Sequence, residues 1–259
     1  MSMNKVVIKT ILTFFMIVMA GTAFAQNGLG QPLDGMPAFT VVNDSNGVAT
    51  YSLSLQILFL MTALTVLPSL VLGMTSFTRV IIVLSILRQA LGTQQTPPNQ
   101  VLIAIALFLT FFIMAPTFTI IYDQALAPYL DGQIDAATAV ASASSTIKDF
   151  MVNNTRVNDL TMFAEMAGDE PYATNADIPL SVILPAYITS ELKTAFQIGF
   201  LLFLPFLVID MVIASTLMSL GMMMLSPMLV SLPFKLLLFV LVDGWAMTVS
   251  SLAATYSVT

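Results

Sequence analysis

Long apolar runs without charge alternate with polar stretches along this chain. No charged residue occurs between Asp44 and Arg79 or between Arg88 and Asp123, and few occur beyond Phe196. An apolar helix rises about 1.5 Å per residue, so about 20 residues cross the roughly 30 Å hydrocarbon core of a bilayer. The pattern predicts four apolar helical segments of sufficient length, at residues 52–73, 99–121, 183–215 and 226–254.

Proline occurs inside every one of these segments, at Pro68, Pro116, Pro185, Pro205, Pro227 and Pro233. A proline in a membrane helix leaves a carbonyl without its usual partner, so neighbouring protein must satisfy that carbonyl. We therefore predict an all-α, membrane-associated fold whose kinked helices form hairpins and pack against protein. The first hairpin covers residues 51–122, and the second covers residues 183–259 and carries a methionine loop.

The first 25 residues have the parts of a secretory signal. A lysine-containing start precedes an apolar run of about ten residues and a small-x-small motif that ends at Ala25. We predict a cleavable signal peptide at residues 1–25, cut between Ala25 and Gln26. The alternative is an uncleaved first transmembrane helix. Residues 26–50 are rich in Gly, Pro, Asn and Asp, which indicates a flexible periplasmic leader.

A polar and acidic stretch separates the two hairpins. Residues 123–177 carry nine acidic residues against Lys148 and Arg156. Apolar residues within this stretch recur at spacings compatible with one helical face. We predict a small helical periplasmic subdomain over residues 123–182, too short to bury a core of its own.

Basic residues set the orientation of the apolar segments. The connection between the first two segments carries Arg79 and Arg88 and no acidic residue. Cytoplasmic connections of membrane proteins are enriched in Lys and Arg. We therefore expect a cytoplasmic-side loop at these two arginines, with the acidic subdomain on the opposite side.

The composition excludes several classes of function. Of 259 residues, 58% are apolar and 8% are charged, and the chain contains no cysteine and no histidine. Disulfides, structural zinc, iron–sulfur clusters and Cys–His or Ser–His dyads are therefore excluded. A formal net charge of −6 argues against nucleic acid as a partner, because phosphate binding needs clustered Lys and Arg. We expect no enzyme activity, no metal and no cofactor.

Charges in the apolar segments of the second hairpin need partners or a function; they are Glu191, Lys193, Asp210, Lys235 and Asp243. Glu191 and Lys193 are two positions apart and so point to different faces of a helix. Lys235 and Asp243 are eight positions apart and lie about 12 Å from each other along the helix axis. Neither spacing allows a direct pair, so the partners must lie on other helices or other subunits. We favour an inter-subunit charge network; the alternative is a proton or ion relay.

Three consecutive methionines, Met222, Met223 and Met224, follow Gly221 at the bend between the third and fourth segments. A single methionine usually fills a gap in an apolar core. Three in a row cannot all face one core, so the triplet should project in several directions. Its flexible side chains could form a deformable apolar seal around a pore.

Small residues recur every fourth position near the end of the fourth segment, at Ala246, Ser250 and Ala254, and Gly244 lies beside them. Such a ridge lets helices approach each other closely in an apolar medium. We predict a helix-packing surface at these four residues.

Several long strings of residues resemble one known family. The chain resembles the FliP/SctR family over residues 51 to 250, on the strings Met74–Arg79, Leu87–Gly92, Pro97–Leu102, Thr189–Phe200, Gly221–Met224, Leu232–Lys235 and Leu241–Trp245. Members of this family are export-gate subunits of flagellar and virulence type III secretion systems.

The resemblance implies a pentamer that forms a helical entry gate with FliQ and FliR at the centre of the flagellar basal body, in the bacterial inner membrane. It implies FlhB and FlhA as further partners, FliO as an assembly factor and unfolded flagellar proteins as substrates. Its helices would form bent hairpins raised toward the periplasm. The resemblance makes Met222–Met224 a methionine gasket and favours inter-subunit pairing for Glu191 and Lys193.

Two rival functions remain open at this point. A proton or small-ion transporter would use Asp210 and Asp243 as intramembrane carboxylates. A structural anchor would have no pore and no seal. Replacing the methionines should cause an ion leak if the chain is a gate subunit and should leave the membrane barrier unchanged if it is an anchor. The isolated chain should bind or move a solute only if it is a transporter.

Overall fold

The computed structural model describes residues 39–43, 49–53, 55–93, 95–169, 172, 174–222 and 225–256. The predicted signal peptide, its cleavage site between Ala25 and Gln26, and two of the three consecutive methionines, Met223 and Met224, lie outside the described residues. The chain divides into two compact units between Pro68 and Ser69, and each unit is described by itself.

The first unit contains a two-stranded antiparallel sheet. Strand β1 (Phe39–Asn43) pairs with strand β2 (Ala49–Leu53), and Val41 lies opposite Tyr51. Both strands overlap the part of the chain that the sequence indicated as a flexible leader. The β-branched and aromatic residues within them favour a pleated strand over irregular structure, which the Gly and Asn content of the segment concealed. Helix α1 (Leu55–Gly73) follows, and the boundary between the two units lies inside it.

The rest of the described chain is helical, and the predicted all-α membrane-protein class is confirmed. The helices are α2 (Phe77–Ala90), α3 (Asn99–Ile121), α4 (Ala127–Leu130), α5 (Ala136–Asn153), α6 (Val157–Ala167), α7 (Leu180–Ser219), α8 (Pro227–Leu241) and α9 (Gly244–Ala254). A π-helical turn (Tyr122–Leu126) joins α3 to α4, and a short 3-10 turn (Asn175–Asp177) precedes α7.

Two helical stretches are long and apolar enough to cross a membrane, at Asn99–Leu130 and Leu180–Ser219. The number rises to four if each of two broken pairs, α1 with α2 and α8 with α9, counts as one span. The apolar segment predicted at residues 226–254 is broken into α8 and α9, which meet at 63°. The break occurs where Asp243 adopts a left-handed conformation, with φ 50° and ψ 52°.

The predicted loop at Arg79 and Arg88 is also wrong, because both arginines lie in helix α2. Val80, Val83 and Leu87 recur at helical spacing along α2 and are completely or almost completely buried. Their burial makes α2 a core helix, although it is too short to have stood out beside the longer apolar segments.

Helix α2 lies at the centre of the second unit and packs mainly on α7. One apolar cluster joins α2, α3, α7 and α9 through Val83, Leu102, Ala195 and Leu252 and their neighbours. Another joins the end of α2 to Phe206 of α7 and to α8. Helices α2 and α7 approach each other closely at Gly199, where an added Cβ would lie 2.4 Å from Cδ1 of Ile86.

The polar insert forms helices α5 and α6, as its periodicity predicted, and both pack on the first part of α7. Met151 of α5 and Ala164 of α6 join Ile183 and Tyr187 of α7 in a third apolar cluster. The predicted apolar face consists of Ile147, Phe150, Met151, Val157, Leu160 and Phe163, of which Val157 alone is exposed. The insert therefore buries its apolar face against the long helix.

Asp135 caps the first turn of α5, where its carboxylate accepts a hydrogen bond of 3.1 Å from the backbone N–H of Thr138. Hydrogen bonding by Thr138 holds the pKa of Asp135 below its usual value. The cap satisfies one of the amide groups that a helix leaves unpaired at its start.

Candidate functional sites: buried charges and the methionine turn

Arg79 and Glu191 form a buried ion pair between α2 and α7. The Nε group of Arg79 donates to Oε2 of Glu191 over 2.9 Å, and its Nη2 group pairs with Oε1. Arg79 is 4% exposed and Glu191 is completely buried. Two parallel bonds between a guanidinium and a carboxylate fix the relative position of both helices as well as neutralising both charges.

The residues that follow α9 complete this pair; we call Thr255 and Tyr256 the clasp. Nη1 of Arg79 donates to Oγ1 of Thr255 over 2.9 Å, and the hydroxyl of Tyr256 donates to Oε2 of Glu191. The guanidinium also lies 3.9 Å from the ring centroid of Tyr256, a cation–π contact. The Tyr256 ring also stacks with the ring of Phe150 of α5, with centroids 6.0 Å apart.

Burial and the Glu191 carboxylate raise the pKa of Tyr256. Its hydroxyl therefore remains a hydrogen-bond donor across the physiological pH range. The clasp consequently holds the end of α9 against α2, α5 and α7.

A second ion pair joins α6 to α7. Lys193 of α7 donates to Oδ1 of Asp159, whose side chain is almost fully buried, while half of the Lys193 side chain is exposed. Beside it, the backbone N–H of Arg156 donates to Oγ of Ser190 over 3.1 Å, and its guanidinium donates to Oγ1 of Thr194 over 3.1 Å. The start of α6 is therefore fixed to α7 by polar contacts on both sides.

A third ion pair joins α7 to α8. Nζ of Lys235 donates to Oδ2 of Asp210 over 2.6 Å and to the carbonyl of Ala90 over 3.2 Å. The hydroxyl of Ser231 donates to Oδ1 of Asp210 over 2.6 Å. Lys235 is 2% exposed, so its charge is desolvated and depends on these partners.

Glu191, Lys193, Asp210 and Lys235 each have an ion-pair partner within one chain. The inter-subunit charge network at these residues stays a prediction. Asp243 differs: it lies exposed at the break between α8 and α9, and no side-chain hydrogen bond or ion pair to it occurs in the described part of the chain.

The methionine turn closes the hairpin between α7 and α8. Gly221 has φ +70°. Its N–H donates to the carbonyl of Met218, and the N–H of Met222 donates to the carbonyl of Leu217. This pair of bonds is the Schellman arrangement that ends helices at a left-handed glycine. Met222 is 43% exposed, and the side chains of Met218 and Met228 on either side of the turn are more exposed still.

The predicted helix-packing ridge divides between two faces of α9. Gly244 is buried against Phe239, together with Thr248 and Leu252 further along the helix. The other predicted residues, Ala246, Ser250 and Ala254, are exposed. Helix α9 therefore packs on its own chain through a different stripe from the one that the sequence suggested.

A metal site finds no support within the described ranges, where no group of three or more Asp and Glu side chains lies close enough to hold an ion. The features that stand out are instead neutralised buried charges, proline-containing apolar helices and an exposed methionine turn. Together they define an all-α membrane protein.

Comparison with known proteins gives the family. The FliP family model matches residues 60–252. The flagellar biosynthetic protein FliP of Cereibacter sphaeroides is 68% identical over 244 residues, covering 93% of this chain and 81% of that protein. The FliP protein of Bacillus subtilis is 51% identical over 221 residues, covering 85% of this chain and 100% of that protein. The FliP protein of Pectobacterium carotovorum is 52% identical over 211 residues, covering 82% of each chain.

The chain therefore belongs to the FliP family and has a role in the flagellar export apparatus. This family is not a known enzyme family. Its apolar helices make the chain a membrane component of the flagellum.

Proposed function

We propose that this chain is a pore-forming subunit of the flagellar type III protein export gate, which passes unfolded flagellar proteins and is sealed by methionines when idle. The observation that carries the proposal is the turn at Gly221, where exposed methionines cluster between two apolar helices. Met222 belongs to this turn, and Met223 and Met224 follow it in the sequence.

Methionine suits such a seal for physical reasons. Its unbranched thioether side chain adapts to irregular surfaces, so a ring of methionines can close around a passing polypeptide and then around itself. An apolar constriction also resists wetting, which blocks ions without a moving gate.

We propose further that the subunit forms a pentamer that assembles with FliQ, FliR, FlhB and FlhA, aided by FliO, in the inner membrane at the basal body. The subdomain over residues 123–182 would then face the periplasm. Large apolar side chains on α7 support assembly, because Phe196 and Phe200 are 60% and 63% exposed on the single chain. Such a surface needs lipid or protein to cover it.

The rival function as a proton or small-ion transporter fits the structure less well. Asp210, one of the two carboxylates that this function needs, is bound by Lys235 and Ser231. A carboxylate held by a buried ammonium is a structural partner rather than a free proton carrier.

The test replaces Met222, Met223 and Met224 together with alanine and measures ion conductance of the assembled gate in lipid bilayers. We expect a constitutive leak with assembly intact, because alanine leaves a wider opening. A matched control replaces two exposed methionines of the subdomain, Met162 and Met166, and should leave the bilayer sealed. An unchanged barrier in the triple variant would overturn the proposal.

A further inference from the structure

The break between α8 and α9 is held in an unfavourable backbone conformation. Asp243 is the one residue other than glycine with positive φ in the described part of the chain. A left-handed conformation brings Cβ of an L-residue close to the following carbonyl, and the Asp243 side chain makes no capping bond that offsets this. Conformations of this kind persist only where the surrounding structure enforces them.

Packing beside the break enforces the bend. The ring of Phe239 covers Gly244 so closely that an added Cβ would lie 2.2 Å from two ring carbons. The same ring meets Trp245 edge to face, with centroids 5.5 Å apart. In a straight helix, residues five positions apart point about 140° away from each other, so this contact exists only in the bent state.

The clasp enforces the bend from the far end of α9. Thr255 and Tyr256 bind Arg79 and Glu191, which belong to α2 and α7. The clasp therefore ties the far end of α9 to α2 and α7, the same two helices that hold α8 through Lys235. Helix α9 thus has a left-handed residue at its start and a polar clasp at its end.

We propose that α8 and α9 form a conformational switch: the clasp holds them bent, and its opening lets them straighten into one helix over residues 227–254. Straightening returns Asp243 to a right-handed conformation and continues the backbone hydrogen bonds across the break. The straight helix is about 42 Å long, enough to cross a bilayer. This inference does not depend on the methionine seal.

Distance measurements on the full chain test the switch. The chain has no cysteine, so two introduced cysteines carry spin labels uniquely. Asn153→Cys and Ser251→Cys place labels at exposed positions of α5 and α9. Ser251 lies eight residues beyond Asp243, so a rotation of α9 by 63° moves it by about 12 Å. Double electron–electron resonance in lipid nanodiscs resolves a shift of this size.

Two variants should favour the straight state, and a third should favour the bent state. Tyr256→Phe removes the hydroxyl that binds Glu191, and Gly244→Ala forces the Phe239 ring away. Each should add a second distance population, shifted by up to about 12 Å. Asp243→Gly removes the Cβ penalty, so in the Tyr256→Phe background it should restore the single wild-type distance. The control Tyr172→Phe removes a tyrosine hydroxyl at the surface and should change nothing.

The rescue separates switching from damage. A fold merely disrupted by Tyr256→Phe would not regain the wild-type distance through Asp243→Gly, and such a result would overturn the proposal. So would a single unchanged distance in both Tyr256→Phe and Gly244→Ala. If Tyr256→Phe fails to fold, Gly244→Ala with and without Asp243→Gly gives the same decision.

Discussion

Replacing Arg79 with methionine should destabilise the isolated subunit strongly, because it leaves the Glu191 carboxylate buried without its cation. Glu191 is completely buried and Arg79 nearly so. Removing one partner of a buried, hydrogen-bonded ion pair costs about 3–5 kcal/mol. The clasp residue Tyr256 still donates to Glu191, so we expect the loss to lie in the lower half of that range.

The double variant Arg79→Met/Glu191→Gln should be markedly more stable than the Arg79→Met single variant. It removes both charges together, and the amide oxygen of Gln can still accept from Tyr256. Replacing both partners of a buried pair with neutral groups is often close to neutral. The coupling energy between the two sites should therefore be at least about 3 kcal/mol, with opposite sign to the single losses.

The assay is unfolding of the monomeric subunit in mixed detergent micelles, followed by the fluorescence of the single tryptophan, Trp245. Lys148→Met is the control, since Lys148 donates to the carbonyl of Ala176 at the surface. This control should change stability by less than about 0.5 kcal/mol.

The monomer is the decisive state for this test. If the Arg79 and Glu191 single variants unfold like the wild type as monomers, the two residues do not pair within one chain. Additive losses, within about 0.5 kcal/mol, would refute the reasoning equally. A network between subunits would show its effect only in the assembled complex.

Two further predictions follow from local geometry. Gly199→Ala should lower the free energy of unfolding by about 1–3 kcal/mol, because its Cβ would overlap Ile86. Ile86→Val removes Cδ1 and should recover part of that loss. Equal stability of Gly199→Ala and wild type in the same assay would contradict this contact. Asp135→Ala should destabilise α5 at neutral pH through loss of the Thr138 cap. The pKa of Asp135 is lowered in the folded state, so the stabilisation by the cap should disappear as the pH falls through the folded-state pKa. A stability difference between wild type and Asp135→Ala that stays constant at all pH values would disprove the cap.

The apolar segments were predictable from sequence because their signal is local. A run of about 20 residues without charge needs no knowledge of the rest of the chain to be recognised as a helix long enough for a membrane. The helical face of the acidic insert was equally local: of its predicted residues, Met151 lies in the third apolar cluster and Phe163 packs against it.

The position of the break was not predictable from proline. Helix α7 continues through Pro185 and Pro205, and α8 continues through Pro233. The chain breaks instead at Asp243, next to a glycine. A proline in an apolar helix is tolerated where neighbouring groups satisfy the freed carbonyl. The break at Asp243 instead lies between the Phe239–Gly244 contact and the clasp, and the clasp joins residues that are far apart in sequence.

The partners of the buried charges were not predictable because they lie far apart in sequence. Glu191 pairs with a residue 112 positions away, and Lys193 with one 34 positions away. Spacing along a helix could exclude a pair such as Lys235 and Asp243, but it could not select Asp210 on another helix. Arg79 was the least accessible to sequence reasoning, since orientation rules assigned its charge to a loop.

Neutralisation within the chain constrains how copies of this subunit could meet. With Glu191, Asp210 and Lys235 already paired, the exposed surface of α7 is formed largely by residues such as Phe196 and Phe200. Contacts between subunits in the proposed ring must therefore come mainly from apolar area and close packing, which do not fix register as ion pairs do. A charge change at Glu191 would then impair export through the subunit's own fold. Its compensating partner would be Arg79 of the same chain rather than a residue of a neighbour.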